Sequence, residues 1–362
     1  MTDTGEPCIL YGELYTKYKS EVISDIFSKT DIDTRKLVKS KANDVIIPCS
    51  GETAVDIATA RCVPYDNILL GGDLNIIRLY DCDGSFMSYQ LNGKRKYDLA
   101  KVAQGVSVVH LYGDHLKGVK TYNPCLEEQK KIAKLLSLLD ERIATQNKII
   151  DKLQSLIKGL NDFLYTQYGG EVLTSFAELG TSYSGLSGKS AQDFGSGKPF
   201  ITYLNVYSNN AINENDFQYV AIKDGEKQNI VEYGDVLFTL SSETPEEVGI
   251  GSVYLGKEKV YLNSFCFGIH ITNTKVALPP YLSYYVSSTS FRKFIYPYAQ
   301  GSTRFNLCKA DFEKARIKLP TLENQKQIYS ILSHIDNKII TERQMLDLYN
   351  SQKQYLLRQM FI

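Results

Sequence analysis

The sequence of 362 residues has no tryptophan, only four histidines and no excess of either charge, because 41 Lys and Arg residues balance 41 Asp and Glu residues. A neutral balance lacks the bulk basic footprint typical of nucleic-acid-binding proteins, so any basic surface must be local. No apolar run reaches the roughly 18 residues of a transmembrane helix, and the first residues lack the basic and apolar regions of a signal peptide. We expect a cytoplasmic protein without membrane association.

Signatures of metal sites and of catalysis are missing too. The seven cysteines include no C-x-x-C pair, which favours reduced, mostly buried thiols over a zinc ribbon or a disulfide framework. The histidines are scattered, no P-loop of the form G-x-x-x-x-G-K-[ST] occurs, and Glu243, Glu246 and Glu247 are more typical of a solvated acidic loop than of a nuclease centre. Asn123-Pro124 only faintly resembles an amino-methyltransferase motif. The sequence predicts no catalytic residues, no metal site and no cofactor held by this chain.

The chain contains an internal repeat. The segment 126–132 (LEEQKKI) recurs 196 residues later as 322–328 (LENQKQI), and the surrounding residues keep the same shift. Upstream, at shifts of 191 or 192 residues, the similarity is weaker and pairs Asn43-Asp44-Val45 with Gly234-Asp235-Val236 and Thr53 with Thr244. This arrangement indicates a duplication in the order globular, helical, globular, helical. The helices have diverged less than the globular parts, which is expected when only the helices share a task.

Both helical segments have the alternating spacing of four and three residues that is typical of a coiled-coil seam. The seam residues are Ile132, Leu136, Leu139, Ile143, Gln146, Ile150, Leu153, Ile157, Leu160 and Leu164 in the first segment, and Ile328, Leu332, Ile335, Ile339, Glu342, Leu346, Tyr349, Lys353, Leu356 and Met360 in the second. Each segment follows a proline, Pro124 or Pro320, which suits a helix start. The polar interruptions Gln146 and Glu342 are equivalent in the repeat and are able to fix a register.

The connectivity predicts how the two helices pair. The first helix leads from one globular half to the other and the second leads back, so we expect an antiparallel pair within the chain, with the halves at its opposite ends. The alternative is that each apolar stripe packs against a second chain.

Between the helices, short strand patterns are separated by turns. We expect strands over 198–207, 230–240, 251–255 and 260–271, and a helix over 280–296. The expected fold class is α+β, with two β-rich domains joined by two long helices that form an intrachain antiparallel coiled coil with a pseudo-twofold internal repeat. The expected limits are 1–124 for the first domain, 125–168 for the first helix, 169–320 for the second domain and 321–362 for the second helix.

Basic residues cluster in one part of the second domain, where Arg292 to Lys318 includes seven basic and two acidic residues. Within it, Gln300-Gly301-Ser302-Thr303-Arg304-Phe305-Asn306 combines a flexible glycine with donors that suit phosphates and base edges, although a solvated loop is the alternative. The first domain has Gln104-Gly105-Val106-Ser107-Val108-Val109-His110 at this place, without arginine, and its basic run is Lys94-Arg95-Lys96. The candidate DNA-binding residues are Lys94, Arg95, Lys96, Ser241, Ser242, Thr244, Arg292, Lys293, Gln300, Ser302, Thr303, Arg304 and Asn306.

Several motifs together resemble one known family. They are Tyr203-Leu204-x-Val206, Gly234-Asp235-Val236, Gly301-Ser302-Thr303-Arg304-x-Asn306-Leu307, and Pro320-x-Leu322-x-x-Gln325-x-x-Ile328 leading into Asp336-x-x-Ile339. The last recurs in the first copy as Pro124-x-Leu126-x-x-Gln129-x-x-Ile132. Over essentially its whole length the chain resembles the specificity subunits of type I restriction-modification systems, and the double occurrence at one spacing makes the resemblance specific.

This resemblance implies a non-catalytic subunit with two target-recognition domains. Each domain would read one half of a split, asymmetric site in double-stranded DNA, while the helices would set the spacing and dock two methylase subunits. The resemblance also implies that S-adenosylmethionine is bound by the methylase subunits, and ATP and Mg by the restriction and translocase subunits.

The first domain departs from the second at its beginning. Residues 172–197 precede Lys198-Pro199, whereas only residues 1–5 precede the matching Glu6-Pro7. We therefore expect the first domain to be truncated at its N-terminus. Two other functions fit the same plan: a structural adaptor whose coiled coil spaces two protein-binding domains, and a silent or partial specificity copy kept for domain exchange.

Overall fold

The computed structural model of the protein describes residues 4–33 and 37–361. The chain forms two compact units, the first from Met1–Ile150 and Thr341–Ile362 and the second from Asp151–Ile340. Both boundaries fall inside long helices, so each helix contributes a part to each unit. The domain limits expected from the repeat follow the helix ends and stay a prediction. No helix in the described ranges is long and apolar enough to span a bilayer.

The first unit is made of short strands, five short helices and parts of the two long helices. Its strands are β1 (Glu6–Ile9), β2 (Ser28–Thr30), β3 (Val38–Lys39), β4 (Asp44–Pro48), β5 (Ser50–Gly51), β6 (Arg61–Val63), β7 (Leu69–Leu70), β8 (Leu74–Ile77) and β9 (Val109–His110). Its helices are α1 (Glu13–Thr16), α2 (Ala54–Ile57), α3 (Gly84–Asn92), α4 (Lys96–Val102), α5 (Gly113–Leu116) and the first part of α6 (Leu126–Tyr168).

Strand β4 lies at the centre of the first unit. It pairs antiparallel with β6 on one side and β8 on the other, and β5 pairs with β9; the other sheet has the order β2-β1-β7-β3. Val45 and Ile47 of β4 pack with Leu91 of α3 and Leu99 of α4. Ile46, between them, faces a second cluster with residues of β1 and β7. This alternation is that of a strand with two buried faces.

The second unit has a larger set of strands. They are β10 (Val172–Thr174), β11 (Gly180–Ser184), β12 (Phe194–Ile201), β13 (Gln218–Val220), β14 (Val236–Thr239), β15 (Ser241–Ser242), β16 (Gly251–Val253), β17 (Tyr261–Leu262), β18 (Cys266–Ile271), β19 (Ala299–Gln300), β20 (Phe305–Leu307) and β21 (Ile317–Leu319). The helices are α7 (Phe176–Leu179), α8 (Tyr203–Ser208), α9 (Pro279–Tyr285), α10 (Thr289–Ile295), α11 (Lys309–Lys314) and α12 (Leu322–Gln359), whose last part lies in the first unit.

The main sheet of the second unit has the order β11-β18-β14-β16, and smaller sheets have the orders β13-β12-β17, β15-β20-β19 and β10-β21. Its central strand β14 again buries both faces. Leu237 packs in a cluster with Tyr254 and Val260, whereas Phe238 faces a group of rings that includes Phe312, with 5.1 Å between the two ring centroids. The equivalent strands β4 and β14 thus form the centre of both units.

The long helices confirm the seam predicted from the sequence. Helix α6 begins two residues after Pro124 and α12 begins two residues after Pro320. Every seam residue is buried or half-buried along both helices. The spacing of four and three residues therefore identified the packed stripe of each helix correctly.

Within the first unit the two helices run antiparallel, as predicted. Leu136 of α6 packs in one cluster with Leu357 of α12. Further along α6, Asp140 forms an ion pair with Lys353 at 2.6 Å. Gln146 donates from Nε2 to the backbone oxygen of Glu342 at 3.0 Å. Residue numbers rise along α6 while those of the partners fall along α12, which confirms the intrachain antiparallel coiled coil.

Several predicted elements of the second unit are wrong in detail. The strand expected over 198–207 ends at Ile201, because Thr202 accepts a hydrogen bond from the Asn205 N–H and caps α8. The helix expected over 280–296 is two helices, since Ser288 caps α10 after α9 has ended. The pattern over 230–240 forms a strand only in β14, and that over 260–271 is divided into β17 and β18.

The two central sheets differ by one strand. In the second unit β11 pairs antiparallel with β18, and the ring of Tyr183 lies over Gly268, where an added Cβ would be 2.2 Å from the ring. In the first unit Ile46 of β4 pairs with Ile76 of β8, and in the second unit Leu237 of β14 pairs with Gly268 of β18. Because Ile46 and Leu237 are equivalent in the repeat, Ile76 and Gly268 occupy equivalent positions. Ile76 packs against the cluster around Ile46. In the first unit the Ile76 side chain of β8 therefore occupies the place that the Tyr183 ring of β11 occupies in the second unit.

Candidate nucleic-acid interface

The candidate segment 300–306 of the second unit is a β-hairpin. Gln300 of β19 pairs with Asn306 of β20, and the four residues between Gln300 and Phe305 form an exposed turn. Gly301 has a φ of +144°, and an added Cβ would lie 2.1 Å from the carbonyl oxygen of Arg304. Only glycine fits this close approach, so the Gln-Gly pair determines the shape of the turn.

Strand β15 supports this hairpin from the other side. Ser241 pairs with Asn306 and Ser242 pairs with Phe305. Both serines are buried, and the Ser242 hydroxyl donates to the Glu247 carboxylate at 3.1 Å. These two candidate residues therefore support the hairpin, whereas Thr244, which follows them, is exposed.

The Glu247 carboxylate accepts a second hydrogen bond from the Tyr207 hydroxyl, at 2.7 Å. The bonds from Tyr207 and Ser242 together lower the pKa of Glu247. The carboxylate therefore stays ionised and acts as an anchor for β15 and α8.

Arg292 has a structural role that its charge alone did not indicate. Its guanidinium donates to the backbone oxygens of Glu246, Val248 and Gly249, each at 2.7 Å. Burial lowers the pKa of Arg292, and three carbonyl acceptors compensate the buried donors. Arg292 thus fixes the loop that follows β15, while its neighbour Lys293 is exposed.

The predicted basic patch is smaller than its sequence suggests. Arg316 forms an ion pair with Glu178 at 2.6 Å, and Lys309 forms one with Glu313 at 3.6 Å. With Arg292 bound to carbonyls, four basic residues of the patch are exposed and form no ion pair in the described ranges: Lys293, Arg304, Lys314 and Lys318.

Arg304 is the charged residue of the turn itself. Its guanidinium carbon lies 6.0 Å from the ring centroid of Phe265, which is 56% exposed. This is a cation–π distance, and such a contact restrains a long side chain without neutralising its charge. Arg304 therefore presents a positive charge on an ordered hairpin.

The first unit contains the same hairpin. Gln104 and His110 exchange two backbone hydrogen bonds, at 2.8 and 2.7 Å. Gly105 has a φ of +129°, and an added Cβ would lie 2.1 Å from the carbonyl oxygen of Val108. On the outer side β9 pairs with β5, with Ser50 opposite His110. The residues that build the frame are equivalent in both units, although the turn residues have diverged.

The basic run Lys94-Arg95-Lys96 is carried by another part of the first unit. It joins α3 to α4, and a Cβ added to the preceding Gly93 would lie 2.7 Å from the Leu357 carbonyl oxygen of α12. Arg95 contacts Asp98 at 3.5 Å, and Lys94 is exposed. The run therefore flanks the end of the long helix and does not belong to the hairpin.

One pair of residues at this surface was missed by the sequence analysis. Next to each hairpin the chain reads Ser50-Gly51-Glu52-Thr53 in one unit and Ser241-Ser242-Glu243-Thr244 in the other. Glu52 and Glu243 are both exposed, and neither forms an ion pair in the part of the chain that the structure describes. The matched Thr53 and Thr244 were the available signal, but Glu243 was interpreted as part of a solvated acidic loop and Glu52 was not considered.

The repeated glutamines explain how the globular parts are held on the helices. Oε1 of Gln129 accepts a hydrogen bond from the backbone N–H of Asp83, the N-cap residue of α3, at 2.9 Å. Oε1 of Gln325 accepts one from the backbone N–H of Leu278, the N-cap residue of α9, at 2.8 Å. Nε2 of each glutamine donates to the carbonyl of the proline that precedes its helix. In each unit this amide therefore joins the start of a long helix to a domain helix.

A second repeated contact lies about three turns further along each helix. The Tyr89 hydroxyl donates to Asp140 at 2.7 Å, and the Tyr284 hydroxyl donates to the equivalent Asp336. Both tyrosines lie on the same domain helices that the glutamines hold. The two connections give each unit a fixed attachment between its hairpin-bearing part and its helices.

Comparisons with known proteins agree with this arrangement. The family model described as the type I restriction modification DNA specificity domain matches residues 10–155 and 181–348. The MjaVIII specificity subunit of a type I restriction enzyme from Methanocaldococcus jannaschii is 24% identical over 354 residues, which cover 92% of this chain and 81% of that protein. Another protein of that organism, described as a MjaX specificity subunit, is 29% identical over 169 residues, 44% of this chain and 38% of that protein.

A solved structure, the S subunit of the type I restriction-modification system of M. genitalium, shares the fold. It has a TM-score of 0.56 and 15% identity over 99% of this chain and 92% of that chain. The two matches to the family model cover most of the sequence, one in each half of the duplication. The chain therefore belongs to the family of type I restriction-modification DNA specificity subunits, which are recognition subunits and not enzymes in themselves.

Proposed function

We propose that the two units read the two halves of a bipartite site in double-stranded DNA, each through its Gln-Gly hairpin and the adjacent Glu-Thr segment. The observation that carries this proposal is that one hairpin frame occurs twice while its turn residues differ. A shared catalytic device would keep its reacting residues in both copies. Divergent side chains on a repeated frame are instead what two different half-sites require.

The second unit supplies the stronger electrostatic contribution. Arg304 is exposed on the hairpin, and Lys293, Lys314 and Lys318 are exposed on α10, α11 and β21 of the same unit. Such residues contact phosphates and release counterions, so affinity should fall steeply with salt. The turn of the first unit has no charged residue, and we infer that its affinity depends more on the methylase subunits.

The helices are proposed to dock the two methylase subunits through a second apolar stripe. Leu135 and Ile331 are equivalent in the repeat, as are Ile149 and Met345, and all four are exposed. They lie outside the seam. Exposed apolar side chains at matched positions of two helices are expected where identical partners bind twice. Replacing Leu135 and Ile331 together with lysine should abolish co-purification of the methylase subunit, whereas Lys152→Ser, at another exposed position of α6, should not.

The remaining parts of the assembly follow from this role. S-adenosylmethionine is proposed to bind to the methylase subunits, and ATP and Mg to the restriction and translocase subunits, with the whole complex in the cytoplasm. This chain would contribute the choice of sequence and the distance between half-sites.

Adenine-methylation mapping tests the proposal. The chain is expressed with its methylase subunits in a host that lacks adenine methylation, and the genome is sequenced with a method that detects N6-methyladenine. We expect one split, asymmetric motif. A complex that forms but methylates no split motif, or binds DNA with only nonspecific affinity at physiological salt, would favour an adaptor or a silent copy instead.

A further inference from the structure

The two hairpin turns offer opposite chemistry on the same frame. The first turn is Val106-Ser107-Val108 and the second is Ser302-Thr303-Arg304. Val106 is 97% exposed and Val108 is 52% exposed. Neither valine packs into a core, and a polar residue would suit a solvated turn better. Their apolar surface is therefore available to another molecule.

The major groove of DNA contains one apolar group at the base edges, the C5 methyl of thymine. An uncharged turn with two exposed valines suits contact with this methyl and is unable to form an ion pair with phosphate. Guanine presents two acceptors, N7 and O6, which one guanidinium binds in a bidentate manner. Arg304 has the required donors, and Phe265 restrains its guanidinium from one face.

We propose that the turn of the first unit reads a thymine through its C5 methyl, with Val106 and Val108 as the specificity-determining residues. In the second unit, Arg304 reads a guanine through N7 and O6. This inference rests on the proposed bipartite recognition and names the base chemistry of each half-site.

The first test uses the full chain with its methylase subunits and the DNA site mapped by methylation. Each thymine is replaced in turn by deoxyuridine, which lacks the C5 methyl, and the Kd is measured. One replacement in one half-site should weaken binding about fourfold, the effect of one buried methyl group. In the variant Val106→Ser with Val108→Ser, which removes the methyl groups of both side chains, thymine and uracil should bind equally well.

A matched control variant is Val38→Ser, which makes the same change at another half-exposed valine of the first unit, on β3. It should keep the preference for thymine. The proposal for the first turn is overturned if no deoxyuridine weakens binding, or if the turn variant keeps the thymine preference.

The second test replaces each guanine with 7-deazaguanine, which lacks the N7 acceptor. At one position in the other half-site, 7-deazaguanine should weaken binding of the wild-type chain about tenfold. Binding of the Arg304→Gln variant should not change with this replacement. The control Lys257→Gln, at an exposed turn of the second unit, should leave the discrimination unchanged.

Arg304→Gln could instead weaken binding to all sequences equally and reduce the salt dependence by about one ion. That result would show a phosphate contact and would overturn the guanine assignment. If a split motif exists but none of these substitutions changes base preference, the inference fails while the proposed function stands. If no split motif exists, the proposed function itself fails.

Discussion

Gln146 and Glu342 are equivalent residues of the internal repeat, and they contact each other. Nε2 of Gln146 donates to the backbone oxygen of Glu342 at 3.0 Å and also to its carboxylate. A polar pair inside an apolar seam favours the one register in which both partners meet. The two polar seam residues therefore set the register of the helices.

Replacing one of these two residues removes the buried hydrogen bond between their side chains. Gln146→Leu or Glu342→Leu alone should lower the free energy of unfolding by about 1 to 3 kcal/mol. The double variant should recover most of this loss, because two leucines pack in an ordinary apolar seam. Thermal denaturation of the three variants measures the effect, and single variants as stable as the wild type would contradict it.

Asp140 and Asp336 are also equivalent, yet their removal should have opposite effects. Asp140 forms an ion pair with the buried Lys353, and the repeat counterpart of Lys353 is Ile157. Asp140→Asn removes one of the two carboxylates that contact the buried ammonium and leaves Glu21, at 2.5 Å, so it should destabilise the protein by about 3 kcal/mol. Asp336→Asn should stabilise it at neutral pH.

The stabilising effect expected for Asp336→Asn follows from the pKa of Asp336. Burial raises the pKa of Asp336, although the hydrogen bond from Tyr284 opposes the shift. A raised pKa in the folded state means that this group's contribution is fully present below the unfolded pKa and is lost as the pH rises through the folded pKa. Stability measured from pH 3 to pH 7 should therefore fall less steeply in Asp336→Asn than in the wild type. An unchanged slope would contradict this assignment.

Replacing Arg292 should change the loop after β15 more than it changes DNA binding. Arg292→Ala leaves the carbonyls of Glu246, Val248 and Gly249 without their donor and should destabilise the protein by about 1 to 3 kcal/mol. Arg292→Lys should recover only part of this loss, because an ammonium lacks the planar fork of donors. Hydrogen exchange across 244–250 measures the local effect, and protection equal to that of the wild type would exclude this role.

Gly301 tests the hairpin frame. In Gly301→Ala the Cβ would collide with the Arg304 carbonyl oxygen, 2.1 Å away, and the turn must change its shape. We expect loss of specific DNA binding with the helices intact. Gly188→Ala is the control, since Gly188 also has a positive φ of +65° but no atom lies within 4 Å of an added Cβ. If both variants bind DNA equally well, the shape of the turn has no role in DNA recognition.

The helices were predictable because their pattern is local. The spacing of four and three residues places Leu136 and Leu332 on the seam, and the matched polar positions identify Gln146 and Glu342 as partners. The helix α8 was missed because the capping by Thr202 overrides a segment that resembles a strand.

The surface was less predictable than the fold. The sequence shows that Arg292 is basic, but the carbonyl oxygens that accept its hydrogen bonds lie more than 40 residues away in the chain. Its structural role therefore depends on tertiary contacts. Lys94-Arg95-Lys96 also lies beside α12 for tertiary reasons. The repeat was the best guide to the surface, because comparing equivalent segments reveals the shared frame and the retained glutamates Glu52 and Glu243.

Hydroxyl-radical footprinting of the complex with methylase subunits, on the mapped site, tests most directly whether two separate units read the DNA. The account predicts two protected tracts with a less protected spacer between them, and Gly301→Ala should remove one tract and leave the other. A single continuous tract, or the loss of both tracts in this one variant, would contradict it.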